Sequence, residues 1–170
     1  MKKIWLLLFI VALGYSCTKE DRKNMLVKQE ESIDNYIKSL QDVRVIRNGG
    51  VNRVIVNEGV GEDSLAIGDS LAFYYAGYLF SNGKGKLFVT NKEDIAKENN
   101  FSLQDTEITK LFSKDNFIQG LVKGLEGVRV GENSYIIFSA KYGYDNTRVY
   151  NIPSMSPLFF EIWVESIIKN

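Results

Sequence analysis

Two long segments alternate between apolar and other residues with a period of two, and this pattern constrains the fold of the chain more than any other feature. In the first, residues 70–80, one face would carry Leu71, Phe73, Tyr75, Gly77 and Leu79. In the second, residues 158–168, one face would carry Leu158, Phe160, Ile162 and Val164. Because successive side chains of a strand point to opposite sides of a sheet, this alternation predicts two strands, each with one buried face.

Shorter elements complete the predicted domain. Further strand segments are expected at residues 43–45, 51–56, 87–90 and 134–140, separated by glycine-containing turns. Residues 117–125 have apolar side chains at helical spacing, which predicts a short internal helix. The polar segment 91–116 is interpreted as an insertion with a helical turn near residues 94–98. Many strands with one short internal helix predict an α+β domain built on an antiparallel sheet.

A second helix is predicted upstream of the domain, at residues 24–41. Its apolar positions form one narrow stripe of Leu26, Ile33, Ile37 and Leu40. Three roles remain open for it. It could lie against the domain, act as a spacer between the domain and a membrane, or form a dimer.

The first residues have the organisation of an export signal. Two lysines precede an apolar run from Ile4 to Leu13, which is too short for a bilayer span of about 20 residues. The following Gly14-Tyr15-Ser16-Cys17 resembles a bacterial lipobox, in which Cys17 becomes a lipidated N-terminus. The alternative is an ordinary signal peptide in which Cys17 is incidental. We therefore expect a signal peptide at residues 1–16, a tether and helix at 17–42 and a domain at 43–170.

This leader also predicts location. A lipid on Cys17 would hold the protein at a membrane of the bacterial cell envelope, with the outer membrane favoured over the inner one. Residues 18–23 are polar and would serve as a short tether.

Two absences from the sequence restrict the chemistry. The chain contains no histidine, which excludes an imidazole base and a histidine-bound metal. It contains one cysteine, which excludes an intrachain disulfide and a multi-cysteine zinc site. The formal charge is zero, so there is no basic excess of the kind that nucleic-acid binding requires. No metal and no cofactor are expected.

Several segments, taken in order, resemble the FKBP-type peptidyl-prolyl cis-trans isomerases. They are a glycine–aspartate turn leading into Tyr75-Ala76-Gly77, the helix segment Phe117-Ile118-Gln119-Gly120-Leu121-Val122-Lys123-Gly124-Leu125, the turn at 127–132, the tyrosine-containing segment 139–144, and Ile152-Pro153 followed by the strand at 158–162. The resemblance covers about residues 43–168. It implies an antiparallel sheet wrapped around one short helix, with an apolar active-site pocket between them.

The resemblance also assigns roles to individual residues. Leu121 would form the floor of the pocket, and Tyr75, Phe88 and Phe160 would form aromatic walls around a proline ring. The amide of Ile118 and the hydroxyl of Tyr144 would bind carbonyl groups of the substrate. Phe117, Val89 and Ile152 would contact the substrate around these residues. Taken by themselves, the patterns around Ile118 and Phe160 favour core residues, and Tyr75 could be a packed strand residue.

The sequence departs from the family pattern at two of these positions. Val89 stands where the family usually has an aspartate, and Leu121 stands where it usually has a tryptophan. The resemblance implies a prolyl isomerase that assists the folding of exported proteins by acting on proline-containing segments, with catalysis weakened by Val89. The alternative is a catalytically weak chaperone or peptide-binding module at the membrane surface. The oligomeric state is left open.

Overall fold

The computed structural model describes residues 2–103 and 106–170, with side chains described from residue 19 onward. The helices are α1 (Lys2–Ser39), α2 (Glu93–Glu98) and α3 (Gln119–Leu125). The strands are β1 (Arg44–Asn48), β2 (Val51–Asn57), β3 (Ser70–Phe80), β4 (Lys84–Thr90), β5 (Thr109–Leu111), β6 (Asn133–Phe138) and β7 (Leu158–Ile168). A 3₁₀ turn lies at Ala140–Tyr142. The α+β class and the N-terminal helix predicted from the sequence are confirmed.

The strands form one antiparallel sheet in the order β1-β2-β6-β7-β3-β4, with β5 paired to the first residues of β3. The two long strands predicted from their alternation, β3 and β7, pair with each other over nearly their whole length at the middle of the sheet. On the other side of β3, β4 pairs with the second half and β5 with the first. The gap between β4 and β5 is closed by a side chain, because Asn91 accepts a bond from the Tyr75 amide and donates one to the Phe73 carbonyl, at 2.8 and 3.0 Å.

The sheet has a hydrophobic cluster on each face. The front cluster contains α3 residues and the predicted inward faces of the long strands, including Leu71, Phe73, Phe160 and Ile162. The back cluster contains the alternate residues of the same strands, among them Tyr78 and Phe159, together with Ile33 and Ile37 of α1. The front-face alternation is therefore confirmed. The sequence reading overlooked that the opposite face is also buried, beneath α1.

Helix α1 differs in extent from the helix predicted over residues 24–41. It is continuous from Lys2 and ends at Ser39, so the residues predicted as a tether, 18–23, are helical. Ile33 is 1% exposed and Ile37 is 5% exposed, so this helix lies against the domain, which was one of its three predicted roles. Among the described residues, none of the helices has the length and apolar character needed to cross a membrane. The side chain of Cys17 lies outside the described part of the chain.

Helix α3 is held unusually close to the sheet. A Cβ atom on Gly120 would lie 2.5 Å from the Phe138 ring, and one on Gly124 would lie 2.3 Å from Ile136. Real Cβ contacts are much longer, so both positions require glycine for this approach. The C-terminal end of the helix is also fixed, because the buried Arg53 donates to the carbonyls of Gly124 and Glu126 at 3.2 and 2.8 Å. These two glycines therefore allow α3 to pack closely against β6.

Candidate active site

A cavity of about 640 Å³ opens between α3, the front face of the sheet and the loop that joins the 3₁₀ turn to β7. Every residue predicted for the site lines this cavity, namely Tyr75, Phe88, Val89, Phe117, Ile118, Leu121, Tyr144, Ile152 and Phe160. The structure therefore brings together residues from three strands, one helix and a loop. Their chemical roles remain predictions.

Aromatic rings form the wall nearest the sheet. The rings of Phe88 and Phe160 meet edge to face with centroids 5.7 Å apart, an arrangement that aromatic pairs favour. Phe160 also stacks on Phe138 at 6.0 Å and is 4% exposed, so it belongs to the core and to the pocket at once. Gly77 lies beneath the pair, and a Cβ atom there would be 2.8 Å from each of the two rings. The wall therefore depends on the absence of a side chain at Gly77.

The floor comes from the start of α3. Ile118 is the residue that precedes the helix, with extended backbone angles, and the half-buried Leu121 follows in its first turn. The amide N–H groups at a helix N-terminus have no carbonyl partner within their own helix. The Ile118 amide is thus located where a substrate carbonyl could accept its hydrogen. Leu121 keeps the floor apolar.

Tyr144 supplies a hydroxyl on the opposite side of the pocket. A tyrosine phenol is protonated at neutral pH and can donate a hydrogen bond, and burial raises the pKa of the Tyr144 phenol further. Its loop is fixed by backbone bonds from Asp145 to Ala140 and from Met155 to Asp145, at 2.9 and 2.7 Å. The Tyr144 hydroxyl is therefore carried by an ordered loop.

The same loop contains a tight hairpin at the mouth of the pocket. Val149 and Ile152 exchange backbone hydrogen bonds of 3.1 and 2.8 Å. Tyr150, at the tip, has a left-handed φ of 47° and is 93% exposed. Ile152 is buried beneath it, so the hairpin presents an apolar side chain inward and an aromatic one to solvent.

The polar residues that follow Val89 are committed to the sheet. The Thr90 hydroxyl donates to the Tyr75 carbonyl at 2.7 Å, and both polar atoms of the Asn91 amide bind backbone groups of β3. Both side chains are buried. Neither therefore takes the place of the carboxylate that the family pattern has at Val89, and the described residues that line the cavity include no acid.

Sequence reasoning missed the lining residues contributed by the insertion, Phe101, Lys110 and Asn116, and also Phe73, Thr90, Val149, Tyr150 and Asn151. Among the lining side chains that the structure describes, Lys110 is the one charged residue, and its Nζ atom lies 3.6 Å from Oε2 of Glu107. The Lys110 side chain points towards the front face because Lys110 pairs with Leu71, and Leu71 belongs to the front cluster. The three-residue strand β5 is too short to have revealed that direction as a sequence pattern.

Comparison with known proteins assigns the chain that forms this pocket to a family. The sequence profile of the FKBP-type peptidyl-prolyl cis-trans isomerases matches residues 61–165, which is more than half of the chain. The chain belongs to this family. The matched region contains every residue predicted for the FKBP pocket, whereas α1, β1 and β2 precede it.

Individual FKBP relatives agree with this assignment. FK506-binding protein 1 of Aspergillus oryzae is 26% identical over 113 residues, which cover 66% of this chain and 94% of that protein. A crystal structure of a peptidyl-prolyl cis-trans isomerase from Pseudomonas syringae has a TM-score of 0.63 at 18% identity, covering 86% of this chain and 96% of that one. The structure of the three FKBP domains of wheat FKBP73 also has a TM-score of 0.63, at 16% identity. That match covers 75% of the present chain and 52% of the wheat chain. At such identities the structures show that the fold is that of an FKBP domain.

Proposed function

We propose that this FKBP domain isomerises X-Pro peptide bonds in exported proteins, at a membrane surface to which a lipid on Cys17 attaches it. The observation that carries the catalytic part is the convergence of Tyr75, Phe88, Leu121 and Phe160 on one open apolar cavity. The Tyr144 side chain and the start of α3 line the same cavity. A proline ring held between these walls would place the flanking peptide near the Ile118 amide and the Tyr144 hydroxyl.

The chemistry needs no nucleophile and no proton transfer. The barrier to rotating a peptide bond is about 18–20 kcal/mol, because rotation breaks the amide resonance. The twisted amide has less charge separation than the planar one, so an apolar cavity stabilises it relative to the planar ground state. Hydrogen bonds from the Ile118 amide and the Tyr144 hydroxyl would hold the flanking carbonyls while the bond turns. Each 1.36 kcal/mol gained in this way would accelerate exchange about tenfold.

Attachment to a membrane is supported by the leader sequence. Its basic start, its apolar run and the small residues around Cys17 have the order found in bacterial lipoprotein signals. Growth of the expressing bacterium with a radiolabelled fatty acid tests this part. Label on the wild-type chain and none on Cys17→Ser supports the anchor, whereas equal labelling of both, or of neither, overturns it.

A second candidate is favoured by Val89. Since the lining residues that the structure describes include no acid, the cavity could bind proline-containing segments and accelerate their isomerisation only slightly. The protein would then act as a holdase for exported chains. The two candidates share the pocket and differ in whether bound chains isomerise faster.

Refolding of a test protein that is limited by one X-Pro bond separates the candidates. Addition of the full chain in mild detergent should shorten the slow phase at less than equimolar amounts, and Tyr144→Phe should weaken this effect. Lys86→Ala, an exposed position on β4, is the matched control and should behave as wild type. No acceleration at equimolar amounts would overturn the isomerase proposal. Suppression of client aggregation by the same sample would then support the holdase.

A further inference from the structure

The helix that precedes the FKBP domain contacts the loop that carries Tyr144 and Ile152. We infer that α1 contributes to the function of the pocket, because its residue Gln29 is a positioning residue that holds the two ends of this loop together. The pocket loop, residues 140–155, leaves the sheet after β6 and returns just before β7. It contributes five of the residues that line the cavity, Tyr144, Val149, Tyr150, Asn151 and Ile152.

Both polar atoms of the Gln29 side chain are used on this loop. The Oε1 atom accepts a hydrogen bond of 2.9 Å from the amide of Ala140, at the start of the loop. The Nε2 atom donates a hydrogen bond of 2.7 Å to the carbonyl of Met155, at its end. The Gln29 side chain thus connects the first and the last residue of the pocket loop.

A second contact reaches the residue next to Tyr144. Arg22 binds Asp145 with two parallel bonds, from Nε at 3.1 Å and from Nη2 at 2.7 Å. Asp145 has a left-handed φ of 50°, which is uncommon for a residue other than glycine. An exposed ion pair contributes little stability, but the fork geometry of the guanidinium fixes the direction of the carboxylate. Arg22 therefore orients the turn that carries Tyr144, while Gln29 fixes the two ends of the pocket loop.

Helix α1 is rigid enough to act in this way because it is docked elsewhere. Ile33 and Ile37 are buried in the back cluster, and Leu26 is buried about two turns before Ile33. Since Arg22 and Gln29 lie on the same continuous helix, docking of the isoleucines places both residues beside the loop. All of these α1 residues precede the segment that matches the FKBP family profile. The contact is thus an addition to the matched domain.

The consequence is a coupling between α1 and the pocket. The two partly buried hydrogen bonds of Gln29 hold the pocket loop in the conformation described above, which we call closed. Their loss should raise about tenfold the population of open forms, in which the loop has moved away from α1. If only the closed loop binds substrate well, the apparent affinity falls as the closed fraction falls. The kinetic part of this inference rests on the proposed isomerase function, whereas the ordering of the loop does not.

Hydrogen exchange on the full chain in mild detergent tests the ordering. In Gln29→Ala, amides of residues 144–152 should exchange about tenfold faster, while those of β3 and β7 keep their wild-type rates. Gln29→Glu retains an acceptor for Ala140 but loses the donor to Met155, so it should also loosen the loop. Lys28→Ala, an exposed neighbour on α1, is the control and should leave exchange unchanged. Unchanged loop exchange in both Gln29 variants, or a uniform increase over the whole sheet, would overturn the inference.

Peptide isomerisation kinetics add a readout that a purely structural role would not give. Gln29→Ala should raise KM severalfold and change kcat less than twofold, because the closed loop, once formed, is the same. A fall in kcat at constant KM would contradict the positioning role. If the wild-type chain shows no isomerase activity, the proposed function fails while the exchange experiment still decides the inference about the loop.

Discussion

Adding one methyl group beneath the aromatic wall should both destabilise the domain and narrow its pocket. In Gly77→Ala the new Cβ would lie 2.8 Å from the Phe160 ring, the Phe88 ring and the Val89 side chain. Carbon atoms in favourable contact are about 3.5–4.0 Å apart, so each neighbour would have to move by about 0.7 Å or more. Gly77 pairs with Phe160 on one side and with Val89 on the other, so the methyl group would rise between side chains from both neighbouring strands.

The direction of this movement decides its effect on function. Phe160 is stacked on Phe138 and cannot retreat into the core, so the rings must shift away from the sheet and into the cavity. Insertion of a methyl group into a packed region of this kind typically costs about 1–3 kcal/mol. The substituted protein should therefore be less stable and bind proline peptides less well.

Urea unfolding and peptide binding measure the two effects on the same samples. We expect a loss of about 1–3 kcal/mol in the free energy of unfolding, and a lower midpoint of thermal unfolding by about 2–4 °C for each kcal/mol. Lys86→Ala, on the solvent side of β4, should change neither quantity. A Gly77→Ala protein with wild-type stability and wild-type peptide affinity would refute the inferred role of Gly77.

Three further predictions address the charge and chemistry of the domain. Val89→Asp should raise isomerase activity by restoring the carboxylate of the family pattern; an unchanged rate in the refolding assay would mean that Val89 is not the limiting defect. Lys110→Glu should shift the preference between peptides with an acidic and a basic residue beside proline about two- to fivefold towards the basic one, and equal preferences in both proteins would contradict the placement of Lys110 in the pocket. The Lys169 ammonium and the Ala66 amide lower the pKa of Asp69, so this carboxylate stabilises the fold above about pH 4 and the contribution is lost as the pH falls through its depressed pKa. Asp69→Asn should accordingly lose less stability than wild type on acidification below pH 4 in urea titrations, and parallel stability curves would exclude this role.

Most of the front face of the domain could be predicted from local patterns. Alternation in β3 and β7 has a period that only a strand satisfies, and the burial of Phe73, Phe160 and Ile162 follows directly from it. The apolar spacing of residues 117–125 likewise predicts the short helix α3, although it does not reveal how closely Gly124 approaches Ile136. These elements are predictable because their signals repeat within a few residues along the chain.

The site was predictable to the extent that its residues lie in such elements. Tyr75, Phe88, Leu121 and Phe160 were identified through motifs in strands and in the helix, and they meet in one cavity. Phe101 and Lys110 were not identified, because they come from an irregular segment with no periodicity. The position of Lys110 depends on pairing of β5 with β3, a contact between residues about forty positions apart in the chain.

The sequence by itself determined the front face of the sheet and the short central helix, because hydrophobic periodicity is a local property. The apolar pocket lined by aromatic residues follows from the resemblance to the FKBP family. Only the tertiary structure decided that the back face is also buried and that α1 covers it. The side chains of Tyr78 and Phe159 reveal that second core only when α1 is placed against them. The bridge from Gln29 to Ala140 and Met155 joins residues more than one hundred positions apart, and no pattern along the chain records such a contact.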